Sequence, residues 1–171
     1  MKTSFKKVIK MPALGEQKYK RVLFVGLGAK KKLTENLLRE VFAAVGQELA
    51  AIKVSSIAIW TVPFTNDNLS CEDVVFTAAE GLGLGSYKFD DYKTTSNAKD
   101  VVLEEVKFLS SADEEELKAA FEVGKVHAYA VNEARNLVNM PPNILTATEM
   151  ANYARQLAEK YDFEIEVLGK K

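Results

Sequence analysis

The fold is decided by an apolar run that ends in a glycine turn, Val22-Leu23-Phe24-Val25-Gly26-Leu27-Gly28. Such a run is typical of a strand that is buried on both faces and ends in a tight turn. A second run of this kind, residues 56–62, is stopped by Pro63. Between the two runs, apolar residues recur at helical spacing and Thr34 is placed to cap the helix. Residues 20–62 are therefore predicted to form one right-handed βαβ unit with parallel strands.

Two further elements are predicted in the next stretch of the chain. A helix begins at Ser70 and runs into three glycines at alternate positions, Gly81, Gly83 and Gly85. Each glycine costs about 1 kcal/mol relative to alanine in a helix interior, so they are expected to weaken the end of this helix. Apolar and polar residues then alternate over residues 101–108, which predicts a half-exposed strand.

The longest helix is predicted next, with about 25 residues and a length of roughly 38 Å. Residues 111–114 supply its cap, and the carboxylates Asp113 to Glu116 lie where the helix dipole favours them. Pro141 and Pro142 end it. Its predicted apolar face comprises Leu117, Phe121, Gly124, Ala128, Val131, Ala134 and Val138.

A shorter unit follows the two prolines. Thr146 and Glu149 form a capping-box pattern that opens an amphipathic helix, and alternation over residues 163–167 predicts a strand. Because residues 139–146 carry the only boundary signal, we expect an α/β domain at 1–138 and a linker with the first helix and strand of a second domain at 139–171.

Composition excludes several classes of protein. The chain has 171 residues, 47% of them apolar, and its net charge is −1. This is one domain's worth of chain, and the net charge argues against a generally basic nucleic-acid binder. There is no signal-peptide pattern and no apolar run of about 18 residues, so we expect a cytoplasmic protein without nucleic-acid or membrane partners. Cys71 and His127 are the only residues of their types, which excludes an internal disulfide and a His/Cys zinc site.

The glycine turn itself invites comparison with a dinucleotide-binding loop. The third glycine of that fingerprint is replaced by Lys31, and no carboxylate ends the next strand. A plain strand-terminating turn is the favoured interpretation. The alternative is an anion site built from the loop amides of residues 26–32 together with the side chains of Lys30 to Lys32.

The remaining candidates have structural interpretations that outweigh functional ones. They are His127, Cys71, the acidic run Asp113 to Glu116, the pair Asp90-Asp91, and the aromatic cluster Tyr87, Phe89 and Tyr92 beside Lys88 and Lys93. The histidine lacks an organised partner, the cysteine lacks a catalytic His or Asn, and the carboxylates lack EF-hand spacing. By spacing alone, no catalytic, cofactor-binding or metal-binding residue is identified.

A family resemblance is carried by residues 134–146, ARNLVNMPPNILT, in which two prolines are flanked by two asparagines. This string closely resembles the segment that joins the two domains of the leucyl (cytosol) aminopeptidases. Two weaker matches are RVLFVGLG at residues 21–28, similar to the family's central strand and turn, and AEGLGLGSYKFDDYK at residues 79–93, similar to its helix and aromatic loop.

The resemblance implies a macro-domain-like, three-layer α/β/α fold with a mostly parallel or mixed sheet. It also implies that the full-length protein is a metallo-aminopeptidase of the cytoplasm, releasing N-terminal residues such as leucine with two divalent metals, zinc or manganese. The catalytic and metal-binding motifs of that family are absent here, so the chain is expected to be inactive alone. Its implied partners are its own catalytic domain and the other subunits of a hexamer.

Two other functions remain open at this point. One is a macro-like module that binds ADP-ribose or another nucleotide at residues 26–32, and the other is a purely structural oligomerisation domain. The resemblance further implies roughly 50 to 60 residues before the matching region in family members, so an exposed sheet edge is expected here.

Overall fold

The computed structural model describes residues 4–15, 18–90 and 103–169. Two compact units are present, residues 1–132 and residues 133–171. The elements in chain order are β1 Val8–Pro12, β2 Arg21–Val25, α1 Glu35–Ala51, β3 Ser56–Trp60, α2 Cys71–Gly85, β4 Glu105–Leu109, α3 Glu114–Asn139 and α4 Ala147–Tyr161. The mixed α/β class predicted from the sequence is confirmed. No helix in the described ranges is long and apolar enough to cross a membrane.

Strand β2 pairs with a strand that sequence patterning did not predict. β1 and β2 form an antiparallel hairpin in which Ile9 lies opposite Phe24. Leu23 and Val25 pack against the core, whereas Phe24 is 50% exposed. Burial of β2 on both faces, as predicted, is therefore wrong, since Phe24 is exposed on the face opposite Leu23 and Val25.

The parallel βαβ unit consists of β3, α2 and β4, not of β2, α1 and β3 as predicted. Strands β3 and β4 pair in parallel, with Trp60 opposite Leu109, and α2 connects them. β2 and β3 belong to different two-stranded sheets of the described chain, so the predicted pairing across residues 20–62 is wrong. The short β1–β2 connection gives β2 a partner at a lower loop-closure cost. The predicted strand at 101–108 is observed as β4, and positions 101 and 102 lie outside the described residues.

Helix α1 begins where its sequence indicates, because the Thr34 hydroxyl accepts a hydrogen bond from the Leu37 amide. Helix α2 begins with a complete capping box between Ser70 and Asp73. The two helices pack together over one apolar core that also receives the inner sides of the strands. Phe42 of α1 and Val74 of α2 are among the side chains fully removed from solvent.

Helix α2 continues through its three glycines to Gly85, so the predicted weakening of its end does not shorten it. A Cβ atom at Gly85 would lie 2.1 Å from the Ala43 carbonyl oxygen of α1, and one at Gly81 would lie 2.7 Å from the Arg39 carbonyl oxygen. At Gly83, on another side of α2, a Cβ would lie 2.7 Å from the Ala128 side chain of α3. The alternate spacing thus lets two helices approach the α2 backbone closely.

The facing helices carry glycines of their own at the same contacts. A Cβ at Gly46 of α1 would lie 2.8 Å from the Leu82 carbonyl oxygen, and one at Gly124 of α3 would lie 2.4 Å from the Phe76 carbonyl oxygen. We call these five positions, Gly46, Gly81, Gly83, Gly85 and Gly124, the glycine seam. It holds α1, α2 and α3 at backbone contact distance.

Helix α3 has the predicted length but a shorter buried face. Gly124 and Ala128 are buried, whereas the predicted core positions Val131, Ala134 and Val138 are exposed. Within the first unit, α3 contacts α2 near the end of α2, where the Asn132 side chain donates to the Gly83 carbonyl.

In the second unit, the Thr146 hydroxyl caps α4 by accepting a hydrogen bond from the Glu149 amide, as the sequence predicts. α4 ends at Tyr161, and its C-cap residue Asp162 has a left-handed backbone with φ of 53°. The predicted strand at 163–167 is wrong: residues 163–169 form no regular element and are exposed. A strand needs a ladder partner, and no strand of the described chain pairs with this segment. The predicted division at 138/139 stays a prediction.

The glycine seam can be tested through the sign of a stability change. Gly85→Ala should lower the free energy of unfolding by about 1–3 kcal/mol, because the new methyl group overlaps backbone of α1. Without that overlap, alanine in a helix would raise stability by up to about 1 kcal/mol. Urea unfolding followed by circular dichroism measures the change, with Gly169→Ala, which has no neighbour within 4 Å, as control. A stabilised Gly85→Ala protein would contradict the seam.

Candidate functional site

In the turn after β2, the backbone polar groups form hydrogen bonds within the turn and to Asn66. Gly28 has a φ of 72°, which favours glycine, and residues Lys30–Lys32 form one 3-10 turn. The amides of Lys32 and Leu33 donate to the carbonyls of Ala29 and Lys30. The Asn66 side-chain amide donates to the carbonyls of Lys30 and Leu33, both at 3.0 Å. The turn is therefore fastened to the fold, and its lysine side chains project into solvent.

His127 and Cys71 contact different residues, and neither contact is a catalytic arrangement. The His127 ring is exposed and packs edge-on against Phe76, with ring centroids 5.2 Å apart. Cys71 is half-buried at the start of α2, with its Sγ atom 3.8 Å from the Thr61 hydroxyl. That hydroxyl also donates to the Leu109 carbonyl at 3.1 Å. Across the ranges that the structure describes, no three His, Cys, Asp or Glu residues gather as metal ligands.

The acidic run at the start of α3 caps the N-terminus of that helix. The Asp113 carboxylate accepts from the Glu115 and Glu116 amides at 2.9 and 3.2 Å. Hydrogen bonds to Glu114 and Glu115 raise the pKa of Lys118 above its usual value. Because these carboxylates are occupied by amides and an ammonium group, the run has the role of a solvated cap.

The aromatic segment after α2 is only partly within the described residues. Asp91, Tyr92 and Lys93 lie outside them, so the predicted cluster and the Asp90-Asp91 pair are not tested. A shallow depression of about 290 Å³ lies beside Tyr87 and Lys88, between the ends of α1 and α2. Its other lining residues are Gln47, Ala50, Ala51, Gly85 and Ser86, which provide no acid, base or nucleophile pair.

One buried ion pair links α1 to α2. The Arg39 Nε atom donates to the Glu80 carboxylate at 2.5 Å, and its Nη1 atom donates to Asn36 at 2.6 Å. Glu80 is only 7% exposed. Sequence reasoning missed this pair, although a lone carboxylate within the apolar stretch 74–85 was its signal. The pair lies beside the glycine seam at Gly81, so its role is to align the two helices.

The segment that carried the family resemblance forms a compact turn in the second unit. α3 ends at Asn139, and the Pro141 carbonyl accepts hydrogen bonds from the amides of Ile144 and Leu145, both at 2.9 Å. The Tyr153 hydroxyl of α4 donates to Glu133 of α3 at 2.7 Å. These bonds hold the two helical segments of this unit together around the two prolines.

Comparison with known proteins agrees with this architecture. The profile of the cytosol aminopeptidase family, N-terminal domain, matches residues 1–96. The bottromycin maturation enzyme BotP in complex with Mn has 25% sequence identity and a TM-score of 0.74, over 92% of this chain and 31% of that one. A mutant of tomato leucine aminopeptidase has 23% identity and a TM-score of 0.76, over 91% of this chain and 30% of that one. The chain thus spans about a third of the length of these proteins.

The Arg39–Glu80 pair predicts a strong and coupled loss of stability. Glu80→Ala should lower the free energy of unfolding by about 3 kcal/mol, because it leaves a partly buried guanidinium without its carboxylate. Arg39→Ala/Glu80→Ala should lose less than the sum of the single variants, by about 1 kcal/mol or more. The exposed pair Lys6 and Glu40 is the control, and its removal should cost less than about 1 kcal/mol. Additive urea-unfolding energies at Arg39 and Glu80 would refute the coupling.

Proposed function

The chain belongs to the cytosol aminopeptidase family as its N-terminal domain, and from that premise we propose that it serves a metal-dependent aminopeptidase as a non-catalytic domain. The enzyme would release N-terminal residues such as leucine from peptides in the cytoplasm. The observation that carries this proposal is the family match over residues 1–96, together with the fold shared with leucine aminopeptidase.

The described residues do not fit the metal site that such an enzyme needs. They bring no three candidate ligands together, and their one buried carboxylate, Glu80, is held by Arg39. We therefore assign no step of peptide hydrolysis to these residues. In the proposed enzyme, two divalent metals, zinc or manganese, would activate water and polarise the scissile carbonyl in a separate catalytic domain. The Mn bound in BotP is consistent with this chemistry.

The role proposed for this chain is support of the catalytic domain and of subunit assembly. The capped helices and the glycine seam make the first unit a rigid scaffold, since interlocked helix backbones leave little freedom for sliding. The turn at residues 139–146 ends the long helix at the position that joins the two domains in the resemblance. A homo-oligomer, hexameric as in the resemblance, is the assembly that we propose.

Activity measurements test separately whether this chain is non-catalytic and whether it supports a catalytic domain. The purified 171-residue chain should hydrolyse leucine-p-nitroanilide no faster than buffer, with or without added Mn²⁺ or Zn²⁺. A chimera should be active when this chain replaces the corresponding region of tomato leucine aminopeptidase, because the shared fold presents the same connecting helix. The catalytic region of the tomato enzyme without any N-terminal domain is the matched control.

Metal-dependent hydrolysis by the chain alone would contradict the non-catalytic assignment. A well-folded chimera no more active than the control lacking the N-terminal domain would contradict the proposed support of catalysis. Circular dichroism before each assay establishes that the chimera is folded, so that loss of activity reports on function.

A further inference from the structure

The β1–β2 hairpin makes its backbone hydrogen bonds within itself. We call residues 4–26 the hairpin segment. Among the described residues, each of its backbone hydrogen bonds joins two members of the segment, and beyond the strand ladder Lys6 and Lys7 pair with Gly26. No other strand of the described ranges joins this sheet. Because a two-stranded hairpin alone is marginally stable in water, the segment depends on the contacts that its side chains make with the rest of the first unit.

Two ion pairs connect the hairpin segment to α1. The Lys6 ammonium donates to Glu40 at 2.6 Å, and the Lys10 ammonium donates to Glu48 at 2.7 Å. We call them the anchor pairs. Across the described ranges they are the only hydrogen bonds between the hairpin segment and the rest of the chain. Their four side chains are between 36 and 51% exposed, so each pair contributes little to stability and is weakened by salt.

The apolar contacts of the hairpin segment are shallower than those between the helices. Val8, Leu23 and Val25 pack against the core but are only partly buried. Leu38 of α1 and Val74 of α2 lie in the same core and are fully removed from solvent. The two helices are further joined by the glycine seam and a buried ion pair. The hairpin segment is therefore attached to α1 less strongly than α2 is.

The boundary of this weakly attached part lies at Gly28. Its φ of 72° favours glycine, whereas a Cβ there would lie 3.7 Å from the Phe5 ring, which is an ordinary contact. Beyond it, the Asn66 side chain donates to the carbonyls of Lys30 and Leu33, and Leu33 is only 2% exposed. The chain is thus fixed to the fold from Lys30 onward, and Gly28 lies between that attachment and the hairpin segment.

We propose that the hairpin segment opens as one unit about Gly28 while α1 and α2 stay folded, and that the anchor pairs make this opening sensitive to ionic strength. Local opening is expected where few buried apolar contacts hold an element in place. In the open form, the segment leaves the core, and the surface of α1 around Glu40 and Glu48 is uncovered. This conformational device goes beyond the proposed function and is independent of it, since it requires only contacts within the first unit.

Native-state hydrogen exchange of the 171-residue chain, followed by NMR, tests this opening. The amides of the β1–β2 ladder should be protected but should exchange faster than the slowest amides of α1 and α2. Lys6→Gln/Lys10→Gln should speed exchange in the ladder about fivefold, because two exposed ion pairs are lost. At about 1 M salt the wild-type ladder should accelerate by a similar factor, whereas the variant should respond little, because its anchor pairs are already absent.

Two matched variants separate local opening from unfolding of the whole unit. Gly85→Ala should speed exchange of the slowest α2 amides about tenfold and leave the ladder amides unchanged, because the open form keeps the glycine seam. Lys118→Gln/Lys125→Gln removes the same charge from two exposed lysines that are paired within α3, and it should not change exchange in the ladder. Low urea makes the same distinction without substitution, since local opening exposes less surface than unfolding.

Three results would overturn the proposal. If Gly85→Ala speeds the ladder amides by the same factor as the α2 amides, the hairpin segment opens only when the whole unit unfolds. If the ladder exchanges equally fast in Lys6→Gln/Lys10→Gln and in the α3 control, the anchor pairs do not govern the opening. Ladder amides that exchange as fast as those of an unstructured peptide would show that the segment has no closed form.

Discussion

The first unit depends on the absence of five side-chain carbons. At the glycine seam, helix backbones approach so closely that a single Cβ would meet a carbonyl oxygen or another side chain. Glycine costs helix propensity at every one of these positions, and close packing between the helices offsets that cost. The buried Arg39–Glu80 pair fixes the relative position of α1 and α2, because its 2.5 Å contact forms only when the two helices are correctly aligned. Strands and turns are then arranged around a fixed group of helices.

Sequence patterns predicted local structure well where one residue determines it. Thr34, Ser70 and Thr146 each cap a helix at the expected position, since a cap needs only its own hydroxyl and an amide a few residues away. Strand pairing was not predictable in the same way. The pairing of parallel strands depends on contacts between residues distant in sequence. The pattern over residues 20–62 therefore predicted the two strands correctly but paired them wrongly. The packing role of the alternate glycines was not predictable for a similar reason, because the atoms that approach them belong to α1 and α3.

The assignment to an aminopeptidase family did not depend on single reactive residues. His127 packs on Phe76, Cys71 lies beside the Thr61 hydroxyl, and Asp113 caps α3. That none of them is catalytic stays a prediction. The string at residues 134–146 carried the family resemblance, and that family was then established over residues 1–96. Net charge was the least informative quantity, because an average cannot report that residues 1–33 carry nine lysines and Arg21 against one acidic residue. Two of these lysines, Lys6 and Lys10, form ion pairs with Glu40 and Glu48 of α1, which the sequence pattern did not indicate.

The exposed segment after α4 has a consequence for the behaviour of the polypeptide in the cell. Phe163, Ile165 and Val167 alternate along an unpaired, solvent-facing stretch, a pattern that favours intermolecular β-sheet and aggregation. Glu164 and Glu166 interrupt it with like charges, which repel one another whenever two such segments align in register. These glutamates therefore act as gatekeepers. The segment thus combines an apolar alternation that favours self-association with like charges that oppose it.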